Sequence, residues 1–333
     1  MMTILSPGPS AALLPGDGEP AIVTKGLSRA FGSVQAVKDL SLEVPAGQIF
    51  GFLGTNGAGK TTTIRLLLGL LEPTSGQARV LGFDPATQGR RIREQSGALL
   101  EFNGLYESLS AADNLEFYGR IYGIPRTDLK RRIMESLELF GLADRARDTT
   151  GTFSRGMKQK LAIARAILHH PQLVFLDEPS DGLDPAAAAA VRQDLLYLAR
   201  RERVTVFLTT HNLTEAEQIC ASVAIIRKGE LVATGTPTSL RAALATPRAR
   251  ITGSGFTPEI IAHLRTDSAF QVLEATPTSL LVELRQAEDT SDLVSALVAS
   301  GARVGEVERV LPSFESAFLQ LVRDQETEGR YVR

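Results

Sequence analysis

The sequence predicts an α/β fold, a parallel sheet covered by helices, followed by a small C-terminal α+β domain. Three observations predict it. Short apolar runs of strand character alternate with helical stretches from Ile49 to Ile226. One of these runs leads directly into a glycine-rich loop and then a helix. A composition break near residues 245–250 separates this region from a stretch that reads strand–helix–strand–strand–helix–strand. A chain of 333 residues agrees with about two domains.

Residues 1–20 hold four Pro and three Gly with no helical or strand period, which predicts a disordered leader. Folding is expected to begin near Ala21. Ile49-Phe50-Gly51-Phe52-Leu53 is a buried strand, and a helix is expected over 60–69 after the loop. Further strands are expected at 77–81 and 96–100. Residues 110–165 carry helical periodicity, with start signals at Ser110 and Thr127 and a stop at Gly141. Strand character returns at 173–176, 204–208 and 223–226, with a helix over 185–201 that Asp184 caps and Pro185 opens. Beyond the break, strands at 249–252, 270–275, 280–284 and 303–307 and helices at 258–264 and 291–300 describe a split βαβ sandwich. A final helix is expected from Ser313. No internal repeat occurs, and the glycine-rich loop appears once.

Composition narrows the function classes. Hydrophobic residues are 43% and charged residues 22%, enough apolar material for a core. The net charge is −2, so no electrostatic excess calls for nucleic acid or an anionic membrane surface. The single cysteine, Cys220, excludes an intrachain disulfide and a multi-cysteine zinc site; it is expected to be a buried apolar thiol. No run of 18 or more apolar residues occurs, so no helix is expected to span a bilayer. The start lacks a basic segment and is broken by Pro7, Pro9 and Pro15, so no signal peptide is expected. The expectation is a cytoplasmic chain that reaches a membrane only through a partner.

Gly54-Thr55-Asn56-Gly57-Ala58-Gly59-Lys60-Thr61-Thr62 fits G-x-x-x-x-G-K-[ST]. Glycines let the backbone turn tightly, so that successive N–H groups point inward at anionic oxygens. The following helix presents its positive end to the same oxygens. Lys60 can reach β- and γ-phosphates, and the Thr61 hydroxyl can ligate Mg²⁺. The apolar strand at 173–176 ends in Asp177 and Glu178, and charges at a buried strand end need a cation or a reacting group. Asp177 suits a Mg²⁺ partner, and Glu178 suits polarising an attacking water.

With these residues the chain resembles the ATPase subunits of ATP-binding-cassette (ABC) transporters over about residues 21–240. The resemblance implies a P-loop NTPase fold: a RecA-like core, an antiparallel β subdomain and a helical subdomain at about 101–165. It places an adenine-stacking aromatic at Phe31 and the Q-loop position at Glu101, near the metal. The signature motif falls on Phe153-Ser154-Arg155-Gly156-Met157, and the D-loop on Asp181-Gly182-Leu183-Asp184. The switch histidine is His211, which would contact the γ-phosphate and steady the water beside Glu178. Four positions depart from the family's pattern: Thr55 stands where many members have proline, Glu101 replaces glutamine, and Arg155 and Met157 change the signature. Ser154 and Gly156 keep the hydroxyl and the close backbone approach. Such signatures resemble the subgroup that serves ABC-2 type exporters.

In that family two protomers pair head to tail, each ATP lying between one phosphate loop and the other's signature. One loop and one signature per chain imply a homodimer, a separate ABC-2 type permease, and Mg²⁺ with ATP as substrate. Phe102, Leu105 and Tyr106 adjoin the cleft that receives a helix of the permease in the family; they could equally seal the helical insert against the core. Residues 246–333 resemble the accessory domain of ABC-2 type ATPases, with expected roles in dimer support and regulation. His169, His170 and His263 carry no functional context. A soluble ABC ATPase acting on ribosomes or DNA is the alternative. Ribosomal members usually carry two cassettes and repair members long coiled coils, whereas this chain has one cassette and no heptad run. A P-loop kinase or GTPase lacks the signature and switch histidine, and no Asn-Lys-x-Asp is present.

Overall fold

The computed structural model of the chain describes residues 19–244, 248–266, 270–284, 289–310, 313–315 and 318. The expected leader lies outside the described residues as far as residue 18, and most of the final helix expected from Ser313 lies outside them too. The chain divides into two compact units, Met1–Gly235 and Thr236–Arg333.

In the first unit, β1 (Pro20–Phe31) and β2 (Val34–Pro45) form a hairpin, joined by β4 (Ser75–Val80) in an antiparallel sheet ordered β2-β1-β4. β1 and β2 were not read from the sequence as strands. The signal was there in β2, where Leu40, Leu42 and Val44 alternate with polar residues and are buried, the period of a half-buried strand. The sheet begins at Pro20, one residue before the expected start of folding.

The second sheet is ordered β5-β6-β7-β3-β8-β9. β3 (Ile49–Leu53), β5 (Ser96–Leu99), β6 (Leu173–Asp177), β7 (Thr205–Thr210) and β8 (Ser222–Arg227) run parallel, and β9 (Glu230–Gly235) closes the edge antiparallel to β8. All residues of β3 and β7 are buried, as expected of strands covered on both faces. Phe50, Phe52 and Phe175 each pack on the Phe207 ring, at 5.7, 5.4 and 5.6 Å between centroids. Helices α1 (Lys60–Leu67), α2 (Pro85–Gln95), α6 (Pro185–Arg201) and α7 (Leu213–Ile219) accompany the strands. α2 also escaped the sequence reading, although Asp84 caps it and Pro85 opens it, the same start signal as Asp184-Pro185.

The helical insert consists of α3 (Ala111–Ile121), α4 (Arg126–Leu139) and α5 (Arg155–Ile167). Ser110 caps α3 as expected, its Oγ accepting from Asp113 N. Gly141 follows α4 at φ 66°, a left-handed stop. The start expected at Thr127 is not found there. Pro125 holds the capping position, and its carbonyl accepts from Asp128 N and Leu129 N at 2.9 Å, which places Thr127 inside the first turn. Fully buried Asn114 fastens the preceding loop: Oδ1 accepts from Tyr106 N at 2.8 Å, and Nδ2 donates to Tyr106 O and Ser110 O at 3.0 Å.

The second unit opens with α8 (Pro237–Leu244), a helix the sequence reading did not identify. It continues β10 (Arg248–Ser254), α9 (Pro258–Thr266), β11 (Phe270–Ala275), β12 (Ser279–Leu284), α10 (Asp289–Ala299) and β13 (Arg303–Val310). The sheet is antiparallel in the order β11-β12-β10-β13, the split βαβ arrangement. Ile251, Leu264, Leu280, Val282, Leu293 and Leu297 form its core.

His169 closes α5 against Tyr122, the rings 3.9 Å apart and 8° from parallel. Its Nε2–H donates to Ser96 O at 3.2 Å, which leaves Nδ1 buried without a partner. Burial chiefly, with His170 and Arg132 adding, lowers its pKa from 6.5 to about 4. Between these values the unfolded chain binds the proton and the folded one does not, so stability falls as pH drops through that window. We expect unfolding free energy to decline from pH 7 to pH 4.5, and His169→Phe to reduce that decline by on the order of 2 kcal/mol in urea titrations. An unchanged decline contradicts the assignment.

Candidate functional site

β6, β7 and β3 are adjacent and parallel, so the loops after their carboxyl ends meet at one edge, the usual ligand position of such sheets. Sequence separation is thereby cancelled: the loop after β3 and the first turn of α1 carry Gly54–Thr62, the loop after β6 carries Glu178, and the one after β7 carries His211. The phosphate loop is built by close backbone approach. Gly59 caps α1 at φ 109°, and a Cβ there would lie 2.3 Å from Ala36 O of β2. Gly229 N donates to Ala58 O at 2.9 Å. α1 has no side-chain cap and no acidic residue in its first turn, so its leading N–H groups are free to serve an anion. Thr55, Asn56 and Gly57 are exposed, and Ala58 is buried.

Lys60 is 6% exposed. Its Nζ donates to Gly54 O at 2.7 Å and Thr55 O at 3.2 Å, and lies 3.0 Å from Glu178 Oε1. That last contact is an ion pair approached off the hydrogen-bond axis, since Oε1 has no hydrogen-bond partner. Glu178 Oε2 accepts from His211 N at 3.2 Å and meets His211 Nδ1 at 2.9 Å. Glu178 therefore stands between the ammonium and the imidazole. Its backbone sits at φ 53°, a left-handed conformation that costs an L-residue roughly 1–2 kcal/mol. Thr209 sustains it: Glu178 N donates to Thr209 O and Thr209 Oγ1, both at 3.1 Å.

Thr61 Oγ1 donates to Asp177 Oδ2 at 2.6 Å, and the Thr209 hydroxyl donates to Asp177 Oδ1. Two hard oxygens converging beside the phosphate loop fit a small divalent cation whose remaining ligands are phosphate and water. No group of three or more His, Cys, Asp or Glu able to hold a metal occurs among the described residues. Glu101, expected near the metal, lies just past β5 with its carboxylate 3.8 Å from Arg65 Nη2. Arg65 stands one turn beyond Thr61 on α1. The structure does not bring Glu101 into the Thr61–Asp177 pair.

The signature residues sit at another place. Ser154 caps α5, its Oγ accepting from Met157 N at 3.3 Å. Arg155 lies over Gly182 of the D-loop: a Cβ on Gly182, at φ +63°, would fall within 2.3 Å of the guanidinium. Gly156 faces Ala187 of α6, and Gln159 Nε2 donates to Pro179 O at 2.6 Å. In the D-loop, Asp181 N donates to Glu178 O at 3.1 Å, Leu183 N to Ser180 O at 3.3 Å, and Asp184 Oδ1 accepts from Ala186 N and Ala187 N. Among the described residues, no hydrogen bond or ion pair joins Ser154–Met157 to Gly54–Thr62. Phe31 ends β1 half-exposed with Arg29 Cζ 4.6 Å from its ring centroid.

Phe102 is 81% exposed, and Tyr106 joins Phe117 and Tyr118 of α3 in an aromatic cluster with centroids 4.9 and 6.3 Å away. Ile121 extends this exposed surface. Thr209 and Arg65 were missed in the sequence, since a threonine inside an apolar strand and an arginine inside a helix carry no motif. Cys220 is buried, and burial first, then the Glu215 charge, pushes its thiol up.

The family described as "ABC transporter" matches residues 37–181. The bacitracin transport ATP-binding protein BcrA of Bacillus licheniformis is 44% identical over 211 residues, 63% of this chain and 68% of that protein. An uncharacterised ABC transporter ATP-binding protein, YdbJ of Bacillus subtilis, is 33% identical over 315 residues, 93% of this chain and 98% of its own length. A solved ATP-binding subunit of an ABC transporter superposes with a TM-score of 0.60 at 33% identity, over 67% of this chain and 92% of that one.

Lys60, buried in the loop, and Gly59, pressed against β2, are the two positions that test whether this loop binds phosphate. Lys60→Ala is expected to weaken ATP affinity at least about tenfold by calorimetry, some 1.4 kcal/mol. Gly59→Ala is expected to do the same by driving β2 off the loop. Unchanged affinity in both contradicts the assignment.

Proposed function

The chain belongs to the ATP-binding subunits of ABC transporters, and from that premise we propose that it hydrolyses ATP to ADP and phosphate at two composite sites of a head-to-tail homodimer and so drives export through a separate permease. The observation that supports this best is Glu178 held between Lys60 and His211 at the mouth of the phosphate loop. In this proposal Gly54–Thr62 wraps the phosphates with backbone N–H groups, and Lys60 exchanges its carboxylate partner for β- and γ-oxygens. Phe31 offers a ring to adenine. Glu178, released from Lys60 but still against His211, accepts the proton of the attacking water. His211 keeps that carboxylate oriented and lies near the γ-phosphate. Magnesium, when bound by Thr61 and Asp177, supplies charge neutralisation at the phosphate oxygens.

Ser154 and the leading amides of α5 would face the γ-phosphate bound by the second copy, with Arg155, Gly156 and Met157 beside them and Asp181–Asp184 against the same boundary. The separation of signature and phosphate loop within one chain supports this arrangement. Subunits of this family work with separate transmembrane permeases, and no helix among the described residues is long and apolar enough to cross a membrane. We place the chain in the cytoplasm on the inner face of the membrane, docked to an ABC-2 type permease through Phe102, Leu105, Tyr106 and the neighbouring Phe117. Asn114 fixes the Tyr106 segment in place, so the aromatic surface is presented without an ordering cost at docking. Glu101, one residue before Phe102, pairs with Arg65 of α1, and through that pair docking would be felt at the phosphate loop. The second unit is assigned dimer support and regulation.

Glu178→Gln is expected to abolish turnover while ATP binding persists, and to trap a dimer in size-exclusion chromatography with Mg²⁺–ATP. Turnover at the wild-type rate, or an ATP-bound monomer, contradicts the proposal.

A further inference from the structure

Beneath the Glu178–His211 contact lies a carboxylate that the phosphate chemistry does not use. Glu215 of α7 is 2% exposed. The Ser180 hydroxyl donates to its Oε1, and Thr210 Oγ1 donates to its Oε2 at 2.9 Å. Ser180 stands two residues after Glu178, and Thr210 immediately precedes His211. The two loops that meet at Glu178 and His211 are thus joined a second time, through one buried side chain. Asn212, on the other side of His211, belongs to the same construction: its Oδ1 accepts from Glu215 N at 3.1 Å, and its own N donates to Thr210 Oγ1 at 2.9 Å. Thr210, before His211, is therefore held by the Glu215 carboxylate, and Asn212, after it, by the Thr210 hydroxyl and the Glu215 backbone amide.

A buried carboxylate is tolerated only where donors fill its oxygens, and an oxygen stripped of its donor costs more than the bond itself contributed. Ser180 and Thr210 supply one hydroxyl each. Spending the Thr210 proton on Glu215 turns an Oγ1 lone pair toward Asn212 N, so the hydroxyl directions are set and not interchangeable. A purely space-filling role at this position calls for an apolar side chain such as those around it, Ala216 and Ile219.

We infer that Glu215 is a positioning residue that locks the loop carrying Glu178 to the loop carrying His211, so that the carboxylate and the imidazole stay in register. Its kinetic consequence rests on the hydrolytic function proposed above; its structural consequence does not. Loss of the lock lowers turnover and leaves nucleotide affinity in place, because the phosphate loop is held by β2 and the turn at Gly229 instead.

Two measurements on the full chain test this. The chain has four histidines, so ¹⁵N-imidazole labelling gives few signals, and His211→Asn identifies the one of interest. Glu215→Ala is expected to move or broaden the His211 signal while those of His169, His170 and His263 stay. In steady-state kinetics it is expected to lower kcat at least about tenfold with KM for ATP within about threefold. Glu215→Gln keeps one carbonyl acceptor at the same place and is expected to recover part of both effects. Should Glu215→Ala fail to fold, Thr210→Val carries the same expectations. An unmoved His211 signal in a folded variant, or a loss confined to KM, overturns the inference. A wild-type chain that does not turn over ATP contradicts the hydrolytic function alone, and the His211 signal then still decides the lock.

Discussion

The site depends on where a buried ammonium finds its counter-charge. Lys60 is nearly sealed from solvent, so its charge needs partners within reach. Two loop carbonyls and the Glu178 carboxylate surround it. The carbonyls are permanent, since Gly54 and Thr55 belong to the loop itself. In the proposed function the carboxylate is the exchangeable partner, and a phosphate competes with it. Phosphate offers more charge and several acceptor oxygens, and the unassisted N–H groups of α1 favour it further. In the proposed function, nucleotide arrival and the freeing of Glu178 are one event.

The fold exists to make that competition local. Adjacent parallel strands bring three loops, far apart in sequence, to one sheet edge. Thr209 shows how finely they are joined. Its hydroxyl donates to Asp177, and its carbonyl and hydroxyl together hold the strained amide of Glu178. The segment 181–184 then departs from Glu178 and passes under Arg155, so α5 and the Glu178 corner are mechanically connected inside one chain. In the proposed dimer this connection gives each copy a route to report on the other's γ-phosphate.

Much of this was legible in the amino-acid sequence, for physical reasons. The strands of the parallel sheet are buried on both faces, so they stand out as apolar runs between helices. The phosphate loop is legible because few residue types tolerate its backbone, and Asp177-Glu178 because paired charges rarely end an apolar strand. The helix at Pro185 and its Asp184 cap were legible because capping is local. β1 was harder to see: it pairs through irregular registers, with shifts at Ile22, Leu27 and Arg29, which blur its alternation. The roles of Thr209, Arg65 and Glu215 were not legible at all, since each arises from a tertiary contact with a residue tens of positions away or on another element. The Arg65–Glu101 pair likewise has no sequence signal beyond two opposite charges. Arg155 was visible as a departure from the family's signature, but its partner, Gly182, appears only once α5 and the D-loop are folded together.

The most direct test of the account is a crystal structure of the chain with Mg²⁺ and a non-hydrolysable ATP analogue. The account predicts Lys60 Nζ on β- and γ-phosphate oxygens and parted from Glu178, the Thr61–Asp177 hydrogen bond opened around the metal, and Ser154 of a second copy against the γ-phosphate. A Lys60–Glu178 pair still intact beside bound triphosphate, or a triphosphate enclosed by one copy alone, would contradict it.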